Sequence, residues 1–307
     1  MKRISTHQLA EICGVSQGTV DRALNNRRGI SPATRERILA AAREYGYRPN
    51  PHARAMAGGK SMLIGVVVFD LRNQYFCDLL TAVEECAAQR GYSIVVMMTD
   101  KQPEREVECV QSLYHMEVDG MLLCPIRQGE AYEQYLSSLQ IPVITFGNRL
   151  DSFPHVGIDD AAAVHEVVSK AVDKGYERLI YVKPELCHNA SAQWERLHAF
   201  EEAARQAGKT HIVTNVSSAQ EHIRPGTKQA FICSTDLYAL RLLPAASRYG
   251  VGIIGFDNLR MIDQLQLPLD SVAYDVEAAA CAAVQTIAEG KPPSGPVAYR
   301  LVERGSL

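Results

Sequence analysis

From residue 62 onward, short apolar runs alternate with stretches in which apolar residues recur every three or four positions. The runs MLIGVVVF, YSIVVMM, DGMLLC and IPVITF predict four strands, and amphipathic stretches at 79–89 and 104–115 predict helices between them. Strands alternating with helices in this way specify a parallel, doubly wound sheet. The alternation resumes after Asp159 with a helix over 161–174, the strand RLIYV, a helix over 192–207, the strands HIVTNV and QAFICS, a helix near 237–248 and the strand VGIIGF. The pattern therefore predicts two α/β lobes in series. A helix over 276–289 and a last strand over 297–303 cross back between them.

The first forty-six residues follow another period. In ISTHQLAEICGVSQGTVDRALNN, Leu9, Ala10, Ile12 and Cys13 make one apolar face. Gly14 ends that helix, because only glycine turns the backbone through positive φ at little cost. Ser16 offers a hydroxyl cap to a second helix over 17–24. Val20, Ala23 and Leu24 face inward there, and Gln17, Gly18, Asp21 and Arg22 face out. Two helices about a tight glycine turn form a helix-turn-helix, which lays its second helix in the DNA major groove. Ser31 and Pro32 open a third helix with a predicted buried stripe of Ile38, Leu39, Ala42 and Tyr45, ended by Gly46. A domain this small folds with little stability to spare.

The segment NPHARAMAGG carries its own helix signals: Asn50 as cap, Pro51 at the first position, Gly58 as stop. A helix so short is unstable alone in water, so the segment is predicted to fold only when held. Arg54 is available for phosphates, and Met56 is an apolar side chain of the kind that wedges between base steps from the minor groove.

Charge sharpens this division. The net charge is −3, yet residues 1–60 carry eleven Lys and Arg against four Asp and Glu, and the remainder carries twenty-one against thirty-one. A basic head on an acidic body fits a head that meets a polyanion. No apolar run is long enough to span a membrane, and the N-terminus has no apolar signal core, so a cytoplasmic protein is expected. The eight cysteines are scattered, without a CxxC pair or a Cys/His cluster. They read as reduced core residues, neither disulfides nor metal ligands.

The run GVSQGTVDRALNN, followed by GISPATRERILAAAREYGYRPNPHARAMAGGKSMLIGVVV, resembles the LacI/GalR family of transcription regulators. The resemblance covers head and hinge almost without gaps and most of the body more loosely. It implies an all-α helix-turn-helix head over 1–46, a hinge over 47–60 that folds on DNA, and an α/β effector-binding and dimerisation body over 61–307. That body has two doubly wound parallel-sheet lobes of periplasmic-binding-protein type. The first lobe is expected at about 61–148 plus 275–290, and the second at about 155–272 plus 297–307. The family implies a homodimer on double-stranded DNA with a pseudo-palindromic operator. Gln17, Gly18 and Arg22 match its base-reading positions; Arg grips guanine and Gln adenine, whereas Gly18 offers no side chain. Ser5, Thr6, Ser16, Thr19, Asn25 and Ser31 would serve phosphates or caps. Met56 stands where the family usually has Leu.

Lobes of this kind bind ligands at the carboxyl ends of their strands. Those ends carry Asp70 and Asn73, Asn148 and Arg149, and Asp159 at the lobe junction. The second lobe adds Trp194, Arg196, Thr235, Asp236 and Asp257, with Tyr75, Phe76 and Tyr274 as aromatic surface nearby. Carboxylates, amides and an arginine around aromatic faces suit a polyhydroxylated ligand, because each hydroxyl both donates and accepts. By resemblance, Arg196, Asp257 and Asn73 match effector-contacting positions. Asp236, and Asp159 or Asp160, equally serve as helix caps. The second lobe departs from the family: there is no room for its additional helix between Gly208 and Phe231, and RYGVGIIGF lacks its proline-containing loop. The sequence has no heptad tail.

No nucleophile elbow, P-loop, zinc-protease motif or glycine-rich dinucleotide loop is present, which argues against an enzyme and against a cofactor. The nine His are dispersed and predict no metal site. The expectation is a repressor controlled by a small ligand, a sugar or sugar derivative. The alternatives are a co-repressor type that takes a purine, or a sugar-binding protein without a regulatory role.

Overall fold

Ser5 opens the first helix of the head with a capping box: its hydroxyl accepts from the Gln8 amide at 3.2 Å, and Gln8 Oε1 accepts from the Ser5 amide at 2.9 Å. In the computed structural model, which describes residues 4–47, 59–185 and 191–307, helix α1 is Thr6–Cys13, α2 is Gln17–Leu24 and α3 is Pro32–Glu44. Gly14 adopts φ 62° between α1 and α2. The core is Leu9, Ala10, Cys13, Val20, Ala23, Ile38 and Ala42. Two residues predicted to be inside are not: Ile12 is 44% exposed and Tyr45 is 49% exposed. Ile12 lies at the edge of the α1 stripe, beyond what two short neighbouring helices cover, and Tyr45 is already the C-cap of α3. Tyr47, two residues on, is the tyrosine that packs against this core, partly buried, its hydroxyl 2.9 Å from Thr6 Oγ1. Asp21 keeps its side chain on the exposed face of α2, as expected, and accepts from Asn25 Nδ2 at 2.6 Å. Residues 48–58 of the hinge, with Arg54 and Met56, lie outside the described residues.

The chain divides into the units Met1–Ser61 and Met62–Leu307. The second unit is built on two sheets. The first has the order β2-β1-β3-β4-β5, with β1 Leu63–Val68, β2 Ser93–Met98, β3 Gly120–Leu123, β4 Val143–Phe146 and β5 His155–Val156. All its described pairings are parallel. The central strands are buried on both faces, as strands covered by helices on either side must be. Helices α4 Gln74–Ala88, α5 Pro103–His115 and α6 Glu130–Ser138 supply those covers. Helix α5 lies so close to β1 that a Cβ on Gly65 would stand 2.7 Å from Leu113 Cδ1. The two-residue β5 carries this sheet past residue 155, where the second lobe was expected to begin.

The second sheet has the order β11-β10-β9-β8-β6-β7. Its strands are β6 Arg178–Lys183, β7 Thr210–Asn215, β8 Gln229–Cys233, β9 Gly252–Phe256, β10 Asp270–Tyr274 and β11 Tyr299–Val302. Its helices are α7 Asp160–Asp173, α8 Ala192–Gln206, α9 Asp236–Tyr249 and the short α10 Arg260–Gln264. Between β7 and β8 the described structure holds a 3-10 turn, Ala219–His222, where the family's further helix would stand. Helix α11, Val276–Glu289, leaves β10 and packs Ala279, Ala280, Ala283, Val284 and Ile287 into the first-lobe core with α4. The chain then returns from that lobe, so it enters the second sheet from the end by which β10 left. Strand β11 is accordingly antiparallel to β10, which amends the all-parallel expectation at one edge.

The packing of α4 on α11 corrects the reading of the cysteines. Cys86 and Cys281, 195 residues apart in sequence, form a disulfide with Cα atoms 5.4 Å apart. Nothing local in the sequence signals this, because the pairing arises from a contact between helices of distant segments. Cys13, Cys77, Cys109, Cys124 and Cys233 are free.

Candidate nucleic-acid interface and interlobe site

The caps of the head's helices come from the residues read as phosphate contacts. Ser16 Oγ accepts from the Thr19 amide at 3.3 Å and meets Thr19 Oγ1 at 2.9 Å; Ser31 Oγ accepts from the Thr34 amide at 3.1 Å. Each cap stabilises its helix and leaves further N-terminal amides directed outward, where an anion is favoured. Gln17, Gly18 and Arg22 are all exposed on α2. Asn25 is partly committed, since its amide donates to Asp21, whose other oxygen takes Arg27 NH1 at 3.1 Å. Thr6 is likewise engaged with Tyr47.

In the body, Asn73 is the N-cap of α4: its Oδ1 accepts from the Tyr75 amide at 3.1 Å, and its Nδ2 reaches Asp257 Oδ2 of the second lobe at 3.5 Å. Asp257 follows β9 at φ 102°, a strained value for a residue with a Cβ, and such strain clusters at functional sites. Burial pushes its carboxyl up to about 6, with Arg196 and Asn73 pulling it partly back. Arg196, 6% exposed, donates from Nε to Asp160 Oδ1 at 2.6 Å and from NH1 to the Ser234 carbonyl at 2.7 Å, and its guanidinium carbon lies 4.3 Å from the Phe256 ring centre. Burial opposes the charge on Arg196, but Asp160 and Asp257 outweigh it and hold the guanidinium firmly protonated. Tyr75 and Tyr274 bring their rings to 5.4 Å from opposite lobes, and Phe76 sits 5.2 Å from Tyr75. Burial raises both phenols, so neither ionises near neutrality.

Asn73, Tyr75, Phe76, Arg196, Asp257 and Tyr274 are thus one cluster spanning the two lobes. Other predicted residues are employed elsewhere. Asp236 has no exposed surface; its oxygens accept from Ser271 Oγ at 2.7 Å and the Leu259 amide at 2.9 Å, so it pins the loop after β9 and is not free for a ligand. Asp159 caps α7 through the Ala162 amide at 2.9 Å. Asn148 is 8% exposed and donates to the Pro125 carbonyl at 2.7 Å. Asp70 closes a turn on the Arg72 amide at 2.8 Å, Arg149 pairs with Glu195 at 3.2 Å, and Trp194 lies against His198 with ring centres 3.8 Å apart. Thr235 is buried, and its Oγ1 and the neighbouring Ser234 Oγ have no hydrogen-bond partner among the described residues.

Sequence reasoning missed Asp160 as the partner of Arg196, and with it two interlobe contacts. Gln74 Oε1 accepts from the Met261 amide at 3.3 Å, and Arg260 pairs with Asp78. Asp160 had a signal, the doubled Asp before a helix, but which of the pair caps and which turns inward depends on the burial of Arg196.

An exposed recognition helix, followed in the chain by a two-lobed body with a polar and aromatic cluster between its strand ends, defines a ligand-responsive DNA-binding regulator. The model for bacterial regulatory proteins of the lacI family matches residues 7–50. That for periplasmic binding proteins and the sugar binding domain of the LacI family matches residues 61–230, and that for the periplasmic binding protein-like domain matches residues 168–307. The chain belongs to the LacI family of bacterial regulatory proteins. It is 25% identical over 300 residues to catabolite control protein A of Priestia megaterium, covering 90% of each chain, and 26% identical over 296 residues to that of Staphylococcus aureus (strain MRSA252), covering 90% of this chain and 89% of the relative. The fold matches the lac repressor dimer bound to operator and the anti-inducer ONPF, with TM-score 0.82 at 21% identity over 100% of both chains. It also matches the regulator CelR in complex with cellobiose, with TM-score 0.67 at 22% identity over 99% of this chain and 100% of the other. Among the described residues no helix is long and apolar enough to cross a membrane, and no group of His, Cys, Asp and Glu could hold a metal ion.

Proposed function

We propose that this chain is a homodimeric transcriptional repressor of the cytoplasm, whose hold on a pseudo-palindromic operator is released by a carbohydrate or carbohydrate derivative. The observation that carries the reading is the Asn73–Asp257–Arg196 cluster flanked by Tyr75 and Tyr274. Acceptors, donors and aromatic faces converge there from both lobes, so a polyhydroxylated ligand bound between them favours one lobe arrangement over another. The family precedent of cellobiose on CelR supports a sugar. In the head, Gln17 and Arg22 read bases and the helix amides seat phosphates. The segment 50–58 folds on the operator and inserts Met56. Because so short a helix is marginal, a few kcal/mol of differential ligand affinity shifts it.

The test is a thermal-shift screen of the full chain against sugars, sugar phosphates, polyols and purines, followed by operator binding with each hit. A sugar that raises the melting temperature and weakens operator binding supports the reading. A purine that strengthens operator binding replaces it with a co-repressor. Met56→Gly is expected to weaken operator binding while leaving ligand affinity intact.

A further inference from the structure

Cys86 lies on α4 and Cys281 on α11, and the seam between these helices is tied at three levels. Tyr75 meets Tyr274 at one end, the cysteines bond along its length, and Arg90 approaches Glu289 at 3.9 Å at the other end. Helix α11 is the crossover that leaves β10 of the second lobe and docks on the first. A Cα separation of 5.4 Å lies within the usual range for disulfides, so bond formation needs no movement of the helices. The surroundings are apolar on both sides, with Val83, Ala282 and Val284 in the same core, and reduced cysteines behave as small hydrophobes in such surroundings. The two sulfurs differ in access: Cys86 is 5% exposed and Cys281 is half-buried. In the cytoplasm a disulfide is characteristically transient and redox-responsive.

We propose that Cys86 and Cys281 are a reversible dithiol–disulfide site for hydroperoxides, and that its oxidation clamps the crossover helix α11 to the first lobe. The inference rests on the cytoplasmic location proposed above. The more accessible Cys281 thiolate attacks the outer oxygen of the hydroperoxide; the O–O bond breaks, the alkoxide leaves and takes a proton, and Cys281 becomes a sulfenic acid. Cys86 sulfur then attacks the Cys281 sulfur; an S–S bond forms, the S–O bond breaks, and water carries away the hydroxyl and the Cys86 proton. Two thiols are oxidised by two electrons and one hydroperoxide is reduced to an alcohol and water. A dithiol reductant reverses the bond by exchange.

The experiment uses the full chain, reduced with dithiothreitol, then exposed to stoichiometric hydrogen peroxide and alkylated. The expected result is a cross-linked peptide pair containing residues 86 and 281 with the mass of two hydrogens lost, removed again by dithiothreitol. The melting temperature of the body should rise by about 5–10 °C on oxidation, because the bond closes a long loop. Cys281→Ser and, separately, Cys86→Ser should each abolish the cross-link and the rise. Absence of the 86–281 link after peroxide in the folded wild-type chain overturns the proposal. Rapid alkylation in growing cells should find both thiols free without oxidant and bonded after peroxide. A pair bonded throughout in a cytoplasmic fraction overturns the switch alone; a pair bonded throughout in an exported fraction overturns the location with it. Operator binding by the reduced chain reads the regulatory proposal separately.

Discussion

Asn73 caps a helix of the first lobe with one atom of its amide and, with the other, reaches the strained Asp257 of the second lobe. The contact joins two residues 184 positions apart and makes this junction between the lobes sensitive to protonation. Asp257 is pushed up to about 6, chiefly by burial. A raised carboxyl favours its neutral form in the folded state, so its contribution to stability is full below about pH 4 and is lost as pH rises through about 6. The upper limit of that change is about 3 kcal/mol. Asp257→Asn keeps the side-chain shape and tolerates positive φ. Its urea midpoint should therefore fall less than that of the wild type between pH 4.5 and 7.5, and parallel pH profiles would show that Asp257 is not the linked group.

Asp160 is the anchor of Arg196. Both are nearly inaccessible, and their 2.6 Å pair is joined by the Ser234 carbonyl. Asp160→Ala strands a buried guanidinium, which costs about 3–5 kcal/mol. The exposed pair of Arg27 and Asp21 in the head is a control, where removal of Arg27 should cost under about 1 kcal/mol. Chemical denaturation of both variants decides, and equal losses would mean that Asp160 is replaced by water.

What was legible in the sequence was what is local. Gly14, Ser16 and Ser31 act within a few residues of themselves, so the helices of the head could be read from caps and stops. The central β-strands of the body announced themselves as apolar runs because both their faces are covered, whereas the edge strand β2 is apolar in sequence yet partly exposed. The residues of the interlobe cluster stood out by type and by their place after strands. Their division into ligand-facing and internal groups did not, because it depends on partners far away: Asp236 is claimed by Ser271 and Leu259, and Asn148 by Pro125. The Cys86–Cys281 pair and the inward turn of Asp160 are likewise products of helix packing. The outward placing of Ile12 and Tyr45 reflects a head too small to cover every apolar residue it carries.

The exposed face of α2 makes a prediction that separates recognition from folding. Gln17 and Arg22 are exposed and are not among the residues of the head's core, so Gln17→Ala and Arg22→Ala should leave its melting temperature unchanged. Each should cost about 1–3 kcal/mol of binding at its cognate base and relax specificity there. Ser16→Ala should instead lower head stability by about 1 kcal/mol through loss of the cap. Competition binding against single-base operator variants at fixed salt checks this. A uniform loss across all variants would assign Arg22 to phosphates.

Asp270 holds the last turn of the described chain. Its Oδ1 accepts from the amides of Arg304, Gly305 and Ser306 at 2.5, 2.7 and 3.1 Å, and its Oδ2 accepts from that of Leu307 at 3.2 Å. Arg304 reinforces the turn by donating to the Leu269 carbonyl and to Asn258 Oδ1 at 3.0 and 2.8 Å. These bonds fasten the antiparallel edge β11 to β10, and β10 continues directly into Tyr274 and the crossover helix. Asp270→Ala leaves several amides without their acceptor at a site 1% exposed, and a loss of about 3 kcal/mol is expected. Asp270→Asn should cost less, because the amide oxygen retains the Oδ1 contacts while its nitrogen faces the Leu307 amide. Amide exchange should accelerate first along β11 and spare β1 and β3 of the other lobe. Uniform acceleration across both sheets would instead make the body a single cooperative unit, in which the edge strand is no weaker than the centre.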